Sequence, residues 1–577
     1  MCGLFGSVGR TLSESQQTAV LLALRGRGPD SQGRWHDHNA TLLHTRLAIQ
    51  DLSSLGNQPM NTCTDDMVLV FNGEIYNQLE LRQELEQLGC SFRSHSDTEV
   101  ILQGLRRWRG ELWRRLNGIF SVAAWEPHEQ RLTLARDGFG IKPLLWKTTA
   151  NSCQFGSELS AFEACELANR GAINLEALRS YSYWGAVAAP HTLLQGVEVF
   201  PAGCVGQWTP GQPWQITRFA NLNTSNTLHP PSNLQEAQNA VESALGLAVQ
   251  RQAIGDVPVG LFLSGGLDSG LLAALLREQQ GSGTIHSISV GFADLPGAID
   301  ESDLAEATAK HLQLSHQILR VNRHMLNNSL DEFINAIDQP SIDGFNSFLV
   351  ARAASIEGMK VAFSGLGADE LFGGYAHMGT LPASRLLQVR RIHCHGLTKQ
   401  QQLHQQQIRA SLVPTLASAL RANSPLPLSS CSRLELTSYL QDTLLRDGDA
   451  VTMHHGLELR VPFLDPELVR LALAIPQGLH RAEGPKTLLK RLAAQRLPEA
   501  VLMAPKRGFN LALAPWLQSS KRFQPIRIQN ILSNQLQPQG VKISRRSLWG
   551  SWALLQTTGR WAPYWRWVVL AEWLAAS

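Results

Sequence analysis

The feature that most restricts this chain is a six-residue turn, Ser264-Gly265-Gly266-Leu267-Asp268-Ser269. It stands between the apolar run Val259–Leu263 and a helical pattern from about Gly270 to Gln279. A short apolar strand, a glycine bend and a helix, in that order, form one arm of a parallel-sheet unit, because the chain must return through a crossover to pair again. The same alternation continues with a strand at Ile285–Val290, a helix near Asp303–Leu312, a helix over Val350–Ile356 and a strand at Lys360–Phe363. That last strand ends in a second glycine turn, Ser364-Gly365-Leu366-Gly367-Ala368-Asp369-Glu370. The pattern predicts an α/β domain with a parallel sheet, followed beyond about residue 380 by a mostly helical extension.

Both turns have the chemistry of an anion site. Glycines let the backbone approach a ligand, small hydroxyls add donors, and the helix N-terminus supplies unpaired N–H groups and a positive dipole end. In open parallel sheets ligands bind beyond the carboxyl ends of the strands, so two strands that both end in Ser-Gly fit one site. A phosphate-transfer loop of the type G-x-x-x-x-G-K-[ST] would need a lysine that is absent here. The turn suits instead a grip on the β,γ-pyrophosphate of ATP while the α-phosphorus is attacked. Asp268 and Asp369 are the candidate magnesium ligands, since magnesium takes one or two carboxylates together with phosphate oxygens. Lys486, in Gly484-Pro485-Lys486-Thr487, is a candidate cation for the pyrophosphate, although its own neighbourhood reads as a solvated helix.

Composition narrows the remaining classes. The chain has 577 residues, which implies several domains. Lys plus Arg number 51 and Asp plus Glu 48, a balance that leaves no electrostatic footprint for nucleic acid or an anionic membrane. No apolar run reaches the ~18 residues of a membrane span, and the N-terminus lacks the pattern of a secretory signal. The eight cysteines include no C-x-x-C pair and read as reduced thiols of a cytoplasmic protein. Short β-like runs with helices near Glu80–Leu88 and Glu99–Trp108 predict an α+β domain over residues 2–208. A polar, breaker-rich linker over 209–233 and a second domain over 234–577 follow. The tryptophans crowding the C-terminus (549, 552, 561, 565, 567 and 573) read as a core-packing or docking helix rather than a membrane-surface anchor.

One cysteine stands apart. Removal of Met1 would leave Cys2 with its α-amine beside its own thiol. A free α-amine is roughly one-tenth neutral at pH 7, and N-terminal nucleophiles use it to take the side-chain proton. An oxyanion could be held by the Asn72 side chain and the Gly73 N–H, which follow the apolar run Met67–Phe71. Arg46 can clamp a carboxylate, and Glu74 and Asp97 can bind an ammonium group. Thiol, oxyanion hole and two charge clamps describe a site for an amino acid with a cleavable side-chain amide, of which glutamine is the obvious candidate.

Here the residues resemble a family, the glutamine-hydrolysing asparagine synthetases. The resemblance runs through M-C-G-L-F-G at the start, R-G-P-D at 27–30, H-T-R-L-A-I at 44–49, F-N-G-E-I-Y-N at 71–77, S-D-T-E at 96–99 and L-A-R-D-G-F-G-I-K-P at 134–143. It continues in D-V-P-V-G-L-F-L-S-G-G-L-D-S at 256–269, S-G-L-G-A-D-E-L-F-G-G-Y at 364–375, G-L-E-L-R-V-P-F-L-D at 456–465 and K-R-G-F at 506–509. The resemblance implies a class II glutaminase of the N-terminal nucleophile (Ntn) hydrolase fold, a four-layer α+β sandwich. Joined to it would be a PP-loop synthetase domain of the adenine nucleotide alpha hydrolase-like type. It implies Cys2 as nucleophile, Asn72 and Gly73 at the oxyanion, and Arg46, Asn72, Glu74 and Asp97 around glutamine. Ammonia would pass through an internal tunnel to a carboxylate activated by ATP and Mg2+ as an acyl-adenylate. By the same resemblance Phe262 and Val290 line the adenine pocket. Ser264, Gly265, Gly266, Leu267, Asp268, Ser269, Ser364, Gly365, Asp369 and Lys486 hold phosphates and metal. It leaves a homodimer open.

The chain departs from the family at Leu366, where aspartate-using members commonly carry a glutamate. Gly138 and Gly270 are smaller departures. The expected acceptor is aspartate. Two readings stay beside it: the same chemistry on another carboxylate, such as a uronic acid or a peptide, and a glutaminase whose second domain only binds nucleotide as a regulator.

Overall fold

A computed structural model describes residues 2–222, 229–293, 300–379, 426–505, 511 and 513–576. Met1, the glutamine-rich stretch Lys399–Gln407, the K-R-G-F match at 506–509 and part of the expected linker lie outside the described residues.

The first half builds twelve strands: β1 (Cys2–Val8), β2 (Ser31–His36), β3 (Ala40–Arg46), β4 (Met60–Asn61), β5 (Val68–Ile75), β6 (Gly118–Glu126), β7 (Arg131–Arg136), β8 (Leu145–Thr148), β9 (Cys153–Gly156), β10 (Glu198–Val199), β11 (Cys204–Trp208) and β12 (Gln215–Arg218). They form two antiparallel sheets of six, ordered β10-β8-β9-β1-β3-β2 and β12-β11-β7-β6-β5-β4. β1, β3 and β5 are buried along their whole lengths, so their sequences are apolar or small almost throughout rather than alternating. The sheets meet through β1 and β5, helices 14–23 and 159–164 cover the first sheet, and helix 97–108 covers the second. This is the α+β four-layer sandwich. The linker was expected to begin at Thr209, but β12 lies inside it and pairs antiparallel with β11, Cys204 opposite Arg218. All four β12 residues are exposed, so no apolar alternation marks the strand in the sequence.

The second half holds a five-stranded parallel sheet ordered β15-β14-β13-β16-β17, with β13 at Val259–Phe262, β14 at His286–Phe292, β15 at Ser315–Val321, β16 at Val361–Phe363 and β17 at Glu458–Arg460. Every pairing in it is parallel. One face is covered by a cluster that includes Val241, Leu245, Leu272, Leu276 and Leu489, the other by a cluster that runs from Phe348 and Leu349 into the C-terminal helices. Trp565 and Trp573 are fully buried there, and the Tyr181 hydroxyl of the first half donates to the carbonyl of Arg566 at 2.6 Å. The tryptophan-rich end is thus a packing element that also ties the two halves together. Among the described residues no helix is long and apolar enough to cross a membrane.

Candidate active sites

The antiparallel register of β1 and β3 sets Cys2 opposite Arg46. Packing of β1 on β5 brings in Asn72, whose Oδ1 accepts from the Cys2 backbone nitrogen at 3.1 Å. That contact orients the amide: Asn72 Nδ2 points the other way, buried and without a hydrogen-bond partner. A buried donor left unpaired is expensive unless a ligand oxygen satisfies it, and this one belongs to the residue that holds Cys2. Gly73 follows, and a Cβ there would come within 2.0 Å of the Ile119 carbonyl oxygen, so only glycine fits. Cys2 is 6% exposed. Burial pushes its thiol up, and the Leu47 amide and the Arg46 guanidinium pull the other way without cancelling it. A thiol kept protonated needs a local base.

Asp97 heads helix 97–108 and accepts from the Ile75 N–H at 3.0 Å. Glu74 takes the Gln50 side-chain N–H at 2.5 Å and lies 3.7 Å from the Arg460 guanidinium of the second half. Burial, then Glu458 and Asp97, raise Glu74 well above the usual carboxylate range. Burial pushes Asp97 up to about 6. Glu74 and Glu458 flank one guanidinium and Asp97 stands close enough to raise Glu74, so an incoming ammonium group would favour the ionised form of the raised carboxyls. Arg46 is less open than expected. Its guanidinium donates to the Ser53 carbonyl at 2.8 Å and Asn57 Oδ1 at 2.9 Å, and to the carbonyls of Gln50 and Asp51. The loop 50–57 holds the donors that a substrate carboxylate would use.

Sequence reasoning assigned no role to Arg27, Lys142, Asp449, Glu458 or Arg460, although all but Asp449 stand in a quoted motif. Arg27 donates to the Cys2 carbonyl at 3.1 Å, to Glu158 at 2.9 Å and to Asp449 at 2.8 Å. Lys142 reaches the other oxygen of Asp449 at 3.1 Å. A carboxylate of the second half is therefore seated between two buried cations of the first, one of which also touches the Cys2 carbonyl. For Glu458 and Arg460 the available signal was a charge inside the otherwise apolar run 456–464; for Arg27 and Asp449 there was none.

In the second half the turn after β13 is already shaped. Ser264 and Ser269 hydroxyls meet at 3.0 Å, the Ser264 N–H donates to Ser269 Oγ at 3.1 Å, and Gly265 has φ +76°. Helix 267–280 starts after Gly266 with no side-chain cap, which leaves its first N–H groups for an anion. Lys486, only 6% exposed, donates to Asp268 at 2.8 and 2.6 Å and pairs with Asp369 at 2.5 Å. Burial alone would lower the ammonium, but Asp268 and Asp369 outweigh it and keep it charged. The two candidate magnesium carboxylates are thereby shown to face one point, reached by a single ammonium, which fits a shared cation among phosphate oxygens. Ser364 and Gly365 stand on the neighbouring turn, where a Cβ on Gly365 would lie 3.2 Å from Asp268 Cβ. Phe262 and Val290 sit on adjacent strands and share one apolar cluster. Leu366 packs among apolar neighbours and would touch a side chain at Gly448.

The family model described as Asparagine synthase matches residues 240–575, and that of the Glutamine amidotransferase domain matches residues 1–219. The chain belongs to the asparagine synthase family. Within that family, the glutamine-hydrolyzing asparagine synthetase 1 of Bacillus subtilis is 31% identical over 536 residues, covering 85% of this chain and 83% of that protein. Asparagine synthetase 3 of the same organism is 30% identical over 539 residues, covering 88% and 86%. A third relative, the amidase chry2 of Gibberella zeae, is 28% identical over 389 residues, or 64% of this chain and 57% of that protein.

Proposed function

We propose that the chain is a glutamine-dependent, ATP-driven carbon–nitrogen ligase of the cytoplasm that amidates a carboxylate through an acyl-adenylate, with aspartate as acceptor. The observation that carries this reading is the orphaned Asn72 Nδ2 beside Cys2 in a chain that also holds a Lys486–Asp268–Asp369 cluster on two glycine turns.

In the first domain the Cys2 α-amine, once Met1 is removed, takes the thiol proton and the sulfur attacks the glutamine side-chain carbonyl. Asn72 Nδ2 and the Gly73 N–H hold the resulting oxyanion, while Arg46, Glu74 and Asp97 hold the amino-acid end. The tetrahedral adduct collapses to a thioester with loss of ammonia, and water then releases glutamate. In the second domain the turns 264–269 and 364–369 cradle ATP, and Phe262 and Val290 flank its base. The acceptor carboxylate attacks the α-phosphorus and pyrophosphate leaves against Lys486. Ammonia that has crossed the interface attacks the acyl carbon, and AMP departs. Asp268 and Asp369 would hold Mg2+, which supplies charge neutralisation on the phosphates when bound.

The decisive assay follows nucleotide products during glutamine turnover with aspartate. AMP and pyrophosphate formed in step with glutamate support the reading; ADP and phosphate, or glutamate alone, would sink it. Leu366 favours a second reading with a different carboxylate, a uronic acid or a peptide, because an apolar side chain there can neither accept a proton nor bind an amine. Pyrophosphate release measured across a panel of carboxylic acids decides between the two.

A further inference from the structure

Arg460 touches both half-sites. Its guanidinium is fully buried and donates to Glu458 at 2.5 Å and to the carbonyls of Gln252 and Ile254 at 2.5 Å each. The remaining nitrogen, NH2, has no hydrogen-bond partner and lies 3.7 Å from Glu74 Oε1, too far for a hydrogen bond. Its backbone carbonyl accepts the N–H of Ser364 at 2.9 Å, the first residue of the second phosphate turn. Phe363 and Arg460 are register partners in the pairing of β16 with β17.

We propose that Arg460 is a positioning residue that couples glutamine binding at Glu74 to the order of the Ser364–Asp369 turn. This rests on the glutaminase and synthetase reading given above. Without ligand, burial first and then Glu458 and Asp97 raise the Glu74 carboxyl well above the ordinary range, which weakens it as an acceptor for Arg460. The α-ammonium of glutamine beside Glu74 and Asp97 favours the ionised carboxylate, which can then close the gap to the orphaned NH2. Gln252 and Ile254 fix the opposite side of the guanidinium, so the closure is felt along β17 and at the Ser364 N–H. The coupling is reciprocal: nucleotide on the turn should tighten glutamine by the same factor.

The test uses the full-length Cys2→Ala protein, which cannot turn glutamine over. Glutamine binding is measured by calorimetry, and hydrogen exchange is followed in the segment Val361–Glu370 with and without saturating glutamine. The expected result is exchange slowed by about fivefold, the lower end of ordinary coupling between sites. The same experiment on Cys2→Ala with Arg460→Lys should show glutamine still binding and the slowing lost, because lysine keeps the charge but not the fork. Binding with no change in exchange in the Cys2→Ala protein overturns the coupling and leaves the glutaminase reading standing. Failure to bind glutamine overturns both. Slowing that survives Arg460→Lys overturns the role of Arg460.

Discussion

Asn72 and Cys2 are joined by one hydrogen bond, from the Cys2 backbone nitrogen to Asn72 Oδ1 at 3.1 Å, and that bond decides which end of the amide is left unpaired. With Oδ1 occupied, Nδ2 is the donor left for an oxyanion. Asn72→Ala should lower kcat for glutamine hydrolysis by roughly 10²–10³-fold, the usual loss for one oxyanion donor. Asn72→Asp should do no better, since a carboxylate puts an acceptor where a donor is needed. Synthesis supplied with free ammonia should stay near its original rate. Steady-state glutamate production set against ammonia-dependent pyrophosphate release checks this.

Asp97 gives the glutaminase a pH signature. Its carboxyl is pushed up to about 6 by burial, with Glu458 adding to the rise. As pH falls through that value the group takes a proton and the ammonium clamp loses a charge. The kcat/KM for glutamine should therefore fall on the acid side with a midpoint near 6, and glutamine binding there should release protons. Calorimetry in buffers of differing ionisation enthalpy measures that release, and Asp97→Asn should abolish it.

What was legible in the sequence and what was not divides along sequence separation. The turn 264–269 could be read because strand, glycines and helix are contiguous, and the structure places them as expected. Cys2, Asn72, Glu74 and Asp97 each stood in a recognisable motif, although only the packing of β1 and of helix 97–108 on β5 explains why they meet. Lys486 misled locally: its neighbours have a solvated helical pattern, and its burial comes from Asp268, 218 residues away. Arg27 and Asp449 are 422 residues apart, and neither local propensity nor periodicity reports such a pair. β12 escaped notice because an exposed edge strand carries no apolar alternation.

Asp449 is the shared counter-charge of Arg27 and Lys142, and all three are buried. Asp449→Ala would strand two cations at the interface, and losing one partner of a buried pair costs about 3–5 kcal/mol. Burial alone would raise the Asp449 carboxyl, but Arg27 and Lys142 outweigh it and hold the group below its ordinary value. A depressed carboxylate contributes stability at neutral pH that is lost as pH falls through the carboxylate range. Calorimetric unfolding should thus show a lower Tm for Asp449→Ala at pH 7, with the gap to the original protein narrowing toward acid. Equal Tm values at pH 7 would mean that the interface does not depend on this carboxylate.

Lys486 separates the half-reactions from the other side. Its ammonium is held by Asp268 and Asp369, on the two glycine turns of the second half. Lys486→Met keeps the length of the side chain and removes the charge, leaving two carboxylates face to face. Pyrophosphate release should fall by roughly 10²-fold or more, as when a preorganised charge at a developing anion is removed. Asp268→Asn should act in the same direction by weakening the cation site, and raised Mg2+ should rescue neither variant fully, because added metal restores neither the Lys486 ammonium nor the Asp268 carboxylate. Glutamine hydrolysis without ATP should continue near its original rate in both, since Cys2, Asn72 and Asp97 are untouched. If glutamine hydrolysis collapsed together with pyrophosphate release, the two centres would be one cooperative unit rather than two sites joined through the contacts at Arg27 and Arg460.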